Sequence, residues 1–223
     1  MARIEVSKAQ HRKPGRVTEH RLNLDRILIV SEGKKTEPNY FKEIRKFYRL
    51  STTRVKVHPS ESGTAPLQVV EYAEQLFIKG DRNRNIPPRA FDQVFAVFDR
   101  DDHKSYFDAL KKAELLDKKH KNDNKHLIRF RAIPSVPSFE LWFLLHFEHI
   151  QTRSDRHEVF RRLKVHIPQY EKCFDKSFEL TRHLLDTAYL QAEKLKQHNS
   201  PYSVPEPYTA VDDLVKLLTG LRT

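Results

Sequence analysis

The sequence predicts an α/β fold: a mainly parallel sheet flanked by helices, with a helical C-terminal extension. Three observations carry that expectation. Two short runs, Ile27-Leu28-Ile29-Val30 and Phe95-Ala96-Val97-Phe98, are wholly apolar and bounded by charge, as strands buried on both faces are. Segments with helical spacing of apolar residues lie between the strand patterns, and that alternation implies right-handed crossovers in a parallel sheet. From Ser138 onward the patterns are helical, punctuated by Pro168, Pro201, Pro205 and Pro207. One good core suffices for 223 residues, organised as a basic arm over 1–23, an α/β core over 24–137 and a helical extension over 138–223.

The arm carries Arg3, Lys8, Arg12, Lys13, Arg16 and Arg21 among few large apolar residues, so it reads as mobile and solvated, able to track phosphates. After the first strand comes Ser31-Glu32-Gly33-Lys34-Lys35-Thr36-Glu37-Pro38. Gly33 permits a sharp turn, Thr36 suits a helix cap, and Glu37 and Pro38 suit the first turn. Tyr40, Phe41, Ile44, Phe47 and Tyr48 then recur at helical spacing, giving an amphipathic helix that packs on the sheet. Val55-Lys56-Val57 is a weak strand signal, followed by a helix over 66–77 and an exposed loop over 79–89. Beyond the second apolar run, Phe107, Leu110, Ala113 and Leu116 line one helical face, with Lys104, Lys111 and Lys112 elsewhere. Ile128, Phe130 and Ala132 alternate with Arg129 and Arg131, the pattern of a half-exposed strand over 127–133. The extension reads as helices over 139–149, 156–164, 178–197 and 208–218.

A net charge of +11 favours a polyanionic partner, nucleic acid before any acidic protein. The single cysteine, Cys173, excludes an internal disulfide framework and any cysteine-based zinc module, and fits a reducing compartment. The longest apolar stretch, Leu141 to Phe147, is far too short to span a bilayer. With no signal-peptide core at the amino terminus, a cytoplasmic protein is expected.

The chemistry lies at the strand ends. Both apolar strands finish in acid, Glu32 after the first and Asp99 and Asp101 after the second. The carboxyl ends of strands are where open α/β sheets place ligands. If the two strands are neighbours, three like charges crowd one edge and require a cation. If the chain stays extended, Asp99 and Asp101 point to the same side. Oxygen donors without paired cysteines point to Mg²⁺ or Mn²⁺, and the useful chemistry in a basic protein is phosphodiester attack.

Glu32-Gly33 after one strand and Asp99-x-Asp101 after another resemble the Toprim core of topoisomerases, primases, OLD-family nucleases and small defence-associated proteins. More specifically, the stretch from Ile27 through Ser31-Glu32-Gly33-Lys34-Lys35-Thr36-Glu37-Pro38 to Phe41 is similar to the opening signature of RloB-like proteins. Phe139-Glu140-Leu141-Trp142-Phe143-Leu144-Leu145-His146-Phe147 resembles their second signature. The resemblance covers about Arg26 to Leu218. It implies a Toprim/Rossmann-like sheet and a metal-dependent nuclease, with Glu32 as general acid/base or metal-organising group and Asp99 and Asp101 as metal ligands. It also implies a setting in phage defence beside an ATPase partner. Glu37 stands one position later than the second acid of OLD-type nucleases, and is carried as a further candidate ligand. Glu140 is the candidate for a further catalytic acid, because a glutamate inside so apolar a segment needs a reason.

Structural readings stand beside these. Glu37 also reads as a helix-start acid, Asp102 as the cap of the following helix, Glu140 as a dipole-favoured, hydrogen-bonded carboxylate, and Trp142 as core. Lys34 and Lys35 adjoin a helix start where phosphate could bind, and with Lys104, Lys111 and Lys112 form the candidate nucleic-acid surface, against a simple solvated face. His103 lacks a visible partner in the sequence and is left out of the site. A topoisomerase would need a DNA-gating module for which the chain has no room, and one cysteine cannot build the zinc module that often accompanies a primase. The competing class is a non-catalytic nucleic-acid or nucleotide-binding regulatory subunit whose acids hold only a structural ion.

Overall fold

The computed structural model describes residues 25–150, 152–171 and 175–221; the basic arm and Cys173 lie outside them. Its centre is a five-stranded sheet in the order β2-β1-β3-β4-β5. β1 (Ile27–Ser31), β2 (Val55–Pro59), β3 (Gln93–Asp99) and β4 (Arg129–Val136) are parallel, and the two-residue β5 (Tyr208–Thr209) adds antiparallel to β4. The crossovers are α1 (Thr36–Phe47), α2 (Pro66–Lys79) and α3 (Tyr106–Leu116). The extension comprises α4 (Glu140–Leu144), α5 (Arg156–His166), α6 (Ser177–Thr181), a 3₁₀ turn (Arg182–Leu184), α7 (Leu185–His198) and α8 (Val211–Gly220). The α/β class with a mainly parallel sheet is as the sequence predicts.

The two apolar runs are continuous because both faces of the sheet are covered. Ile27, Ile29, Phe95, Val97 and Ile133 face a core filled by α1, α4, α5, α7 and α8. Leu28, Val30, Val94, Ala96, Phe98 and Phe130 face α2 and α3. In β1 and β3 the period-two alternation assigns the apolar residues to one core or the other. Asp99, at the end of β3, falls on the side of Phe95 and Val97, under α1 and α4.

Several elements differ from the sequence expectation. Thr36 is the first residue of α1, and Lys35 holds the cap position. Ser105, not Asp102, precedes α3. Phe107 is not on the inner face of α3: Tyr106, Ala109, Leu110, Ala113 and Leu116 are buried, while Phe107 lies outside and stacks on Tyr202 with centroids 6.2 Å apart. Starting the apolar stripe one residue earlier gives the helix a continuous face. β4 is half-exposed only at its start and runs on through Pro134 to Val136; a proline is tolerated there because only the short β5 lies beyond. The expected helix over 139–149 is a single buried five-residue segment, α4, continued by turns. The one over 178–197 is interrupted by the 3₁₀ turn, and the one over 208–218 starts only at Val211, since Tyr208 and Thr209 pair with Val136 and Ser135. Trp142 is core, its indole N–H donating to the Tyr40 hydroxyl at 2.8 Å.

Candidate metal centre

β1 and β3 are adjacent and parallel, with Ser31 opposite Val97, so both chains deliver their acids to the same edge. The ladder continues one step further: Glu32 N–H donates to Val97 O at 2.9 Å, and Asp99 N–H donates to Glu32 Oε2, also at 2.9 Å. Glu32 is therefore held by backbone on both sides of its own side chain.

Beyond Asp99 the strand geometry ends. Asp101 has φ +32°, a left-handed conformation that aspartate tolerates better than most residues. The turn corrects the expectation that Asp99 and Asp101 project to the same side. Asp99 stays in the sheet and points inward, whereas Asp101 swings outward to Glu32. One ligand atom each from Glu32, Asp101 and His103 lie within 4.8 Å of one another. Asp99 is not one of these three; it lies in a buried inner layer.

That inner layer consists of Asp99, Glu37 from the first turn of α1 and Glu140 from the start of α4, all buried. Glu37 is both the helix-start acid and part of the site, its carboxylate accepting from its own backbone N–H and that of Gly33. Gly33 is not in the left-handed region, so turning is not why it is glycine. A Cβ there would lie 2.0 Å from Glu37 Oε2, so the missing side chain lets the carboxylate approach the backbone. Glu140 accepts from Ser138 Oγ at 2.6 Å and from the Tyr170 hydroxyl at 3.4 Å. It is thus both a hydrogen-bonded helix-start carboxylate and a neighbour of the other acids.

Five carboxylates in two layers disfavour one another's charge. Burial pushes Glu32 up to about 7, with Glu37 and Asp101 adding to the shift against the Asp99 N–H bond. Burial and then the Glu140 charge push Glu37 up to about 7 as well. Asp99 is raised well above the usual carboxylate range, by burial and then by Glu37, Glu140, Glu32 and Asp101 in turn. One cation of the protein faces the cluster from α5: Arg156 pairs with Asp101. Burial disfavours the Arg156 charge, but the surrounding acids outweigh it and raise its pKa.

His103 and Arg156 complete the site, and sequence reasoning missed both. For His103 the available signal was its place two residues after Asp101 in an acid-terminated strand loop. Arg156 is 55 residues from Asp101, and no local pattern announces it.

The predicted nucleic-acid lysines divide by position. Lys34, Lys35 and Lys104 are exposed on the loops that carry Glu32 and Asp101. Lys111 and Lys112 lie along α3, which runs back from this edge toward the other end of the sheet, and Lys112 pairs with Glu74 of α2 at 3.2 Å. Lys112 is therefore largely committed within the fold, and neither residue borders the carboxylates.

A sequence model described as RloB-like protein matches residues 27–218 of the chain. No curated protein and no solved structure matches it.

Proposed function

Because the chain belongs to the RloB-like protein family, we propose that its carboxylate edge is a Toprim-type centre that hydrolyses nucleic-acid phosphodiester bonds with Mg²⁺ or Mn²⁺. The proposed setting is phage defence alongside an ATPase partner. One observation carries the reading: three segments of the chain bring five acids to the carboxyl edge of one sheet, and a fourth sets Arg156 against them. Nothing in folding alone rewards that arrangement, since each acid raises the cost of ionising the others. A divalent cation offsets it.

The donors fit such an ion. Glu32 and Asp101 offer carboxylate oxygens, and His103 an imidazole nitrogen suited to Mn²⁺ or, for Mg²⁺, to a hydrogen bond with a coordinated water. Glu37, Asp99 and Glu140 stand behind them, and the Asp99 backbone N–H orients Glu32. When bound, the ion supplies an activated water and offsets the charge on the phosphate. Glu32, pushed up to about 7 in the metal-free fold, would serve as the metal-organising group or as the general acid/base of the site. Arg156 exchanges its Asp101 partner for a phosphate oxygen, a change its planar donor fork permits. Lys34, Lys35 and Lys104 hold flanking phosphates.

The competing reading, a regulatory subunit that binds without cutting, draws support from the Asp101–Arg156 pair, which neutralises part of the outer layer internally. Cleavage of labelled DNA, total RNA and tRNA with Mg²⁺, Mn²⁺ or EDTA separates the two. Asp101→Ala and Glu32→Ala are expected to reduce metal-dependent cleavage by roughly 10²–10³-fold or more, the scale of losing a group that stabilises developing charge. Undiminished cleavage by both folded variants would overturn the nuclease reading.

A further inference from the structure

Beside the carboxylate cluster the surface opens into a cleft of about 580 Å³, walled by the Asp101 to His103 loop and by Arg153 to His157 leading into α5, with Val136, Pro137, Val204 and Pro205 at its back. We propose that this cleft holds one unpaired nucleotide of the strand being cut, adjacent to the scissile phosphate. The proposal rests on the nuclease reading and extends it from the reaction to the form of the substrate.

The cleft has the size of a small-molecule pocket, about 300–1,000 Å³, and so has room for a nucleotide. Its donors are placed for phosphate. Arg153 and His157 are exposed at the rim, and Arg153 has no ion pair among the described residues. Of the acids in the lining, Asp155 caps α5 by accepting from Glu158 N–H at 2.8 Å and Asp101 pairs with Arg156, while Asp102 is exposed to solvent. The side chains of Val136, Pro137, Val204 and Pro205 are apolar and suit the face of a base, while the His157 imidazole and Arg153 guanidinium offer flat surfaces for stacking. Such a site binds a splayed-out base of any identity and holds its phosphate next to the carboxylates.

The test is fluorescence anisotropy in EDTA with the full chain and labelled hexathymidylate, hexauridylate and a blunt hairpin duplex. Wild-type protein should bind both single strands more tightly than the duplex. The double variant Arg153→Glu, His157→Ala should lose about tenfold in single-strand affinity, with a salt dependence shallower by about 0.7 per phosphate contact removed. Arg153→Lys should keep the charge-dependent part of the Arg153 contribution and lose the stacking part, and an unchanged melting temperature should show that the fold persists. Unchanged affinity in the folded double variant, or equal binding of duplex and single strand, overturns the proposal. If the binding loss is seen but wild-type protein never cleaves with Mg²⁺ or Mn²⁺, the nuclease reading falls and the cleft stands as a nucleic-acid site. If cleavage occurs and its KM is the same in the double variant, the cleft falls and the nuclease reading stands.

Discussion

The two ends of the central sheet handle acid in opposite ways. At the amino edge Arg26 lies between Asp92 and Asp123, donating to Asp123 Oδ2 at 2.7 Å and, through its backbone N–H, to Asp92 Oδ2 at 2.7 Å. Asn122 donates to Asp92 at 2.6 Å and Gln93 to Asp25 at 2.7 Å. The Arg26 hydrogen bond holds Asp123 below the usual carboxylate range. At the carboxyl edge five acids face one another and, among the described residues, pair with one arginine, Arg156, and Glu32, Glu37 and Asp99 are pushed up. The same residue type closes the structure at one end and strains it at the other, and the difference lies in the partners supplied. An edge whose charges are matched serves the fold, whereas an edge left in excess of negative charge serves something that arrives from outside.

The largest expected effect separates the edges by pH. Glu32 has its ordinary value near 4.5 in the unfolded chain and about 7 in the fold. The native state therefore holds more protons across that window, and stability must fall as pH rises through it. For Glu32 alone the change is on the order of 3 kcal/mol, and Glu37 and Asp99 act in the same direction. Metal-free protein should melt at a lower temperature at pH 8 than at pH 5.5, and Mn²⁺ should raise the melting temperature most at the alkaline end. A melting temperature that rises with pH in EDTA would contradict the geometry of the carboxyl edge.

Charge-removing substitutions should carry opposite signs at the two ends. Asp99→Asn removes a buried like charge and is expected to stabilise the metal-free protein at pH 8 by about 1–2 kcal/mol while impairing cleavage. Arg26→Gln leaves Asp92 and Asp123 without their cation. It should destabilise by about 1 kcal/mol, a modest figure because the pair is partly exposed, and should leave cleavage intact. Denaturant unfolding beside a cleavage assay checks both. The comparison breaks if Asp99→Asn destabilises as Arg26→Gln does.

The smallest effect concerns the approach of Glu37. Gly33→Ala places a methyl group where Glu37 Oε2 now lies, so the carboxylate must withdraw from the Gly33 backbone. A loss of about 1 kcal/mol is expected, together with weaker Mn²⁺ binding by calorimetry. If turning alone required the glycine, Mn²⁺ affinity would not move.

Much of this was legible in the sequence. Runs without a single polar residue can be strands only if both faces are covered, so β1 and β3, and the parallel class with them, follow from Ile27 to Val30 and from Phe95 to Phe98. Acids directly after such runs must emerge at the carboxyl edge. Phe107 was misplaced by one helical position, and the break at Arg182–Leu184 and the pairing of Tyr208 with Val136 left no periodic signature. Each depends on contacts with elements distant in the chain.

The sequence by itself determined which edge of the sheet carries the acids, because hydrophobic burial orients whole elements and the period of two is strict. Only the tertiary structure decided how the acids sort. The left-handed turn at Asp101 sends one carboxylate outward while strand parity keeps Asp99 inside, and the packing of α4 and α5 brings in Glu140 and Arg156 from far along the chain. Patterning reads direction along a strand; the balance of charge in a site depends on which distant groups converge there.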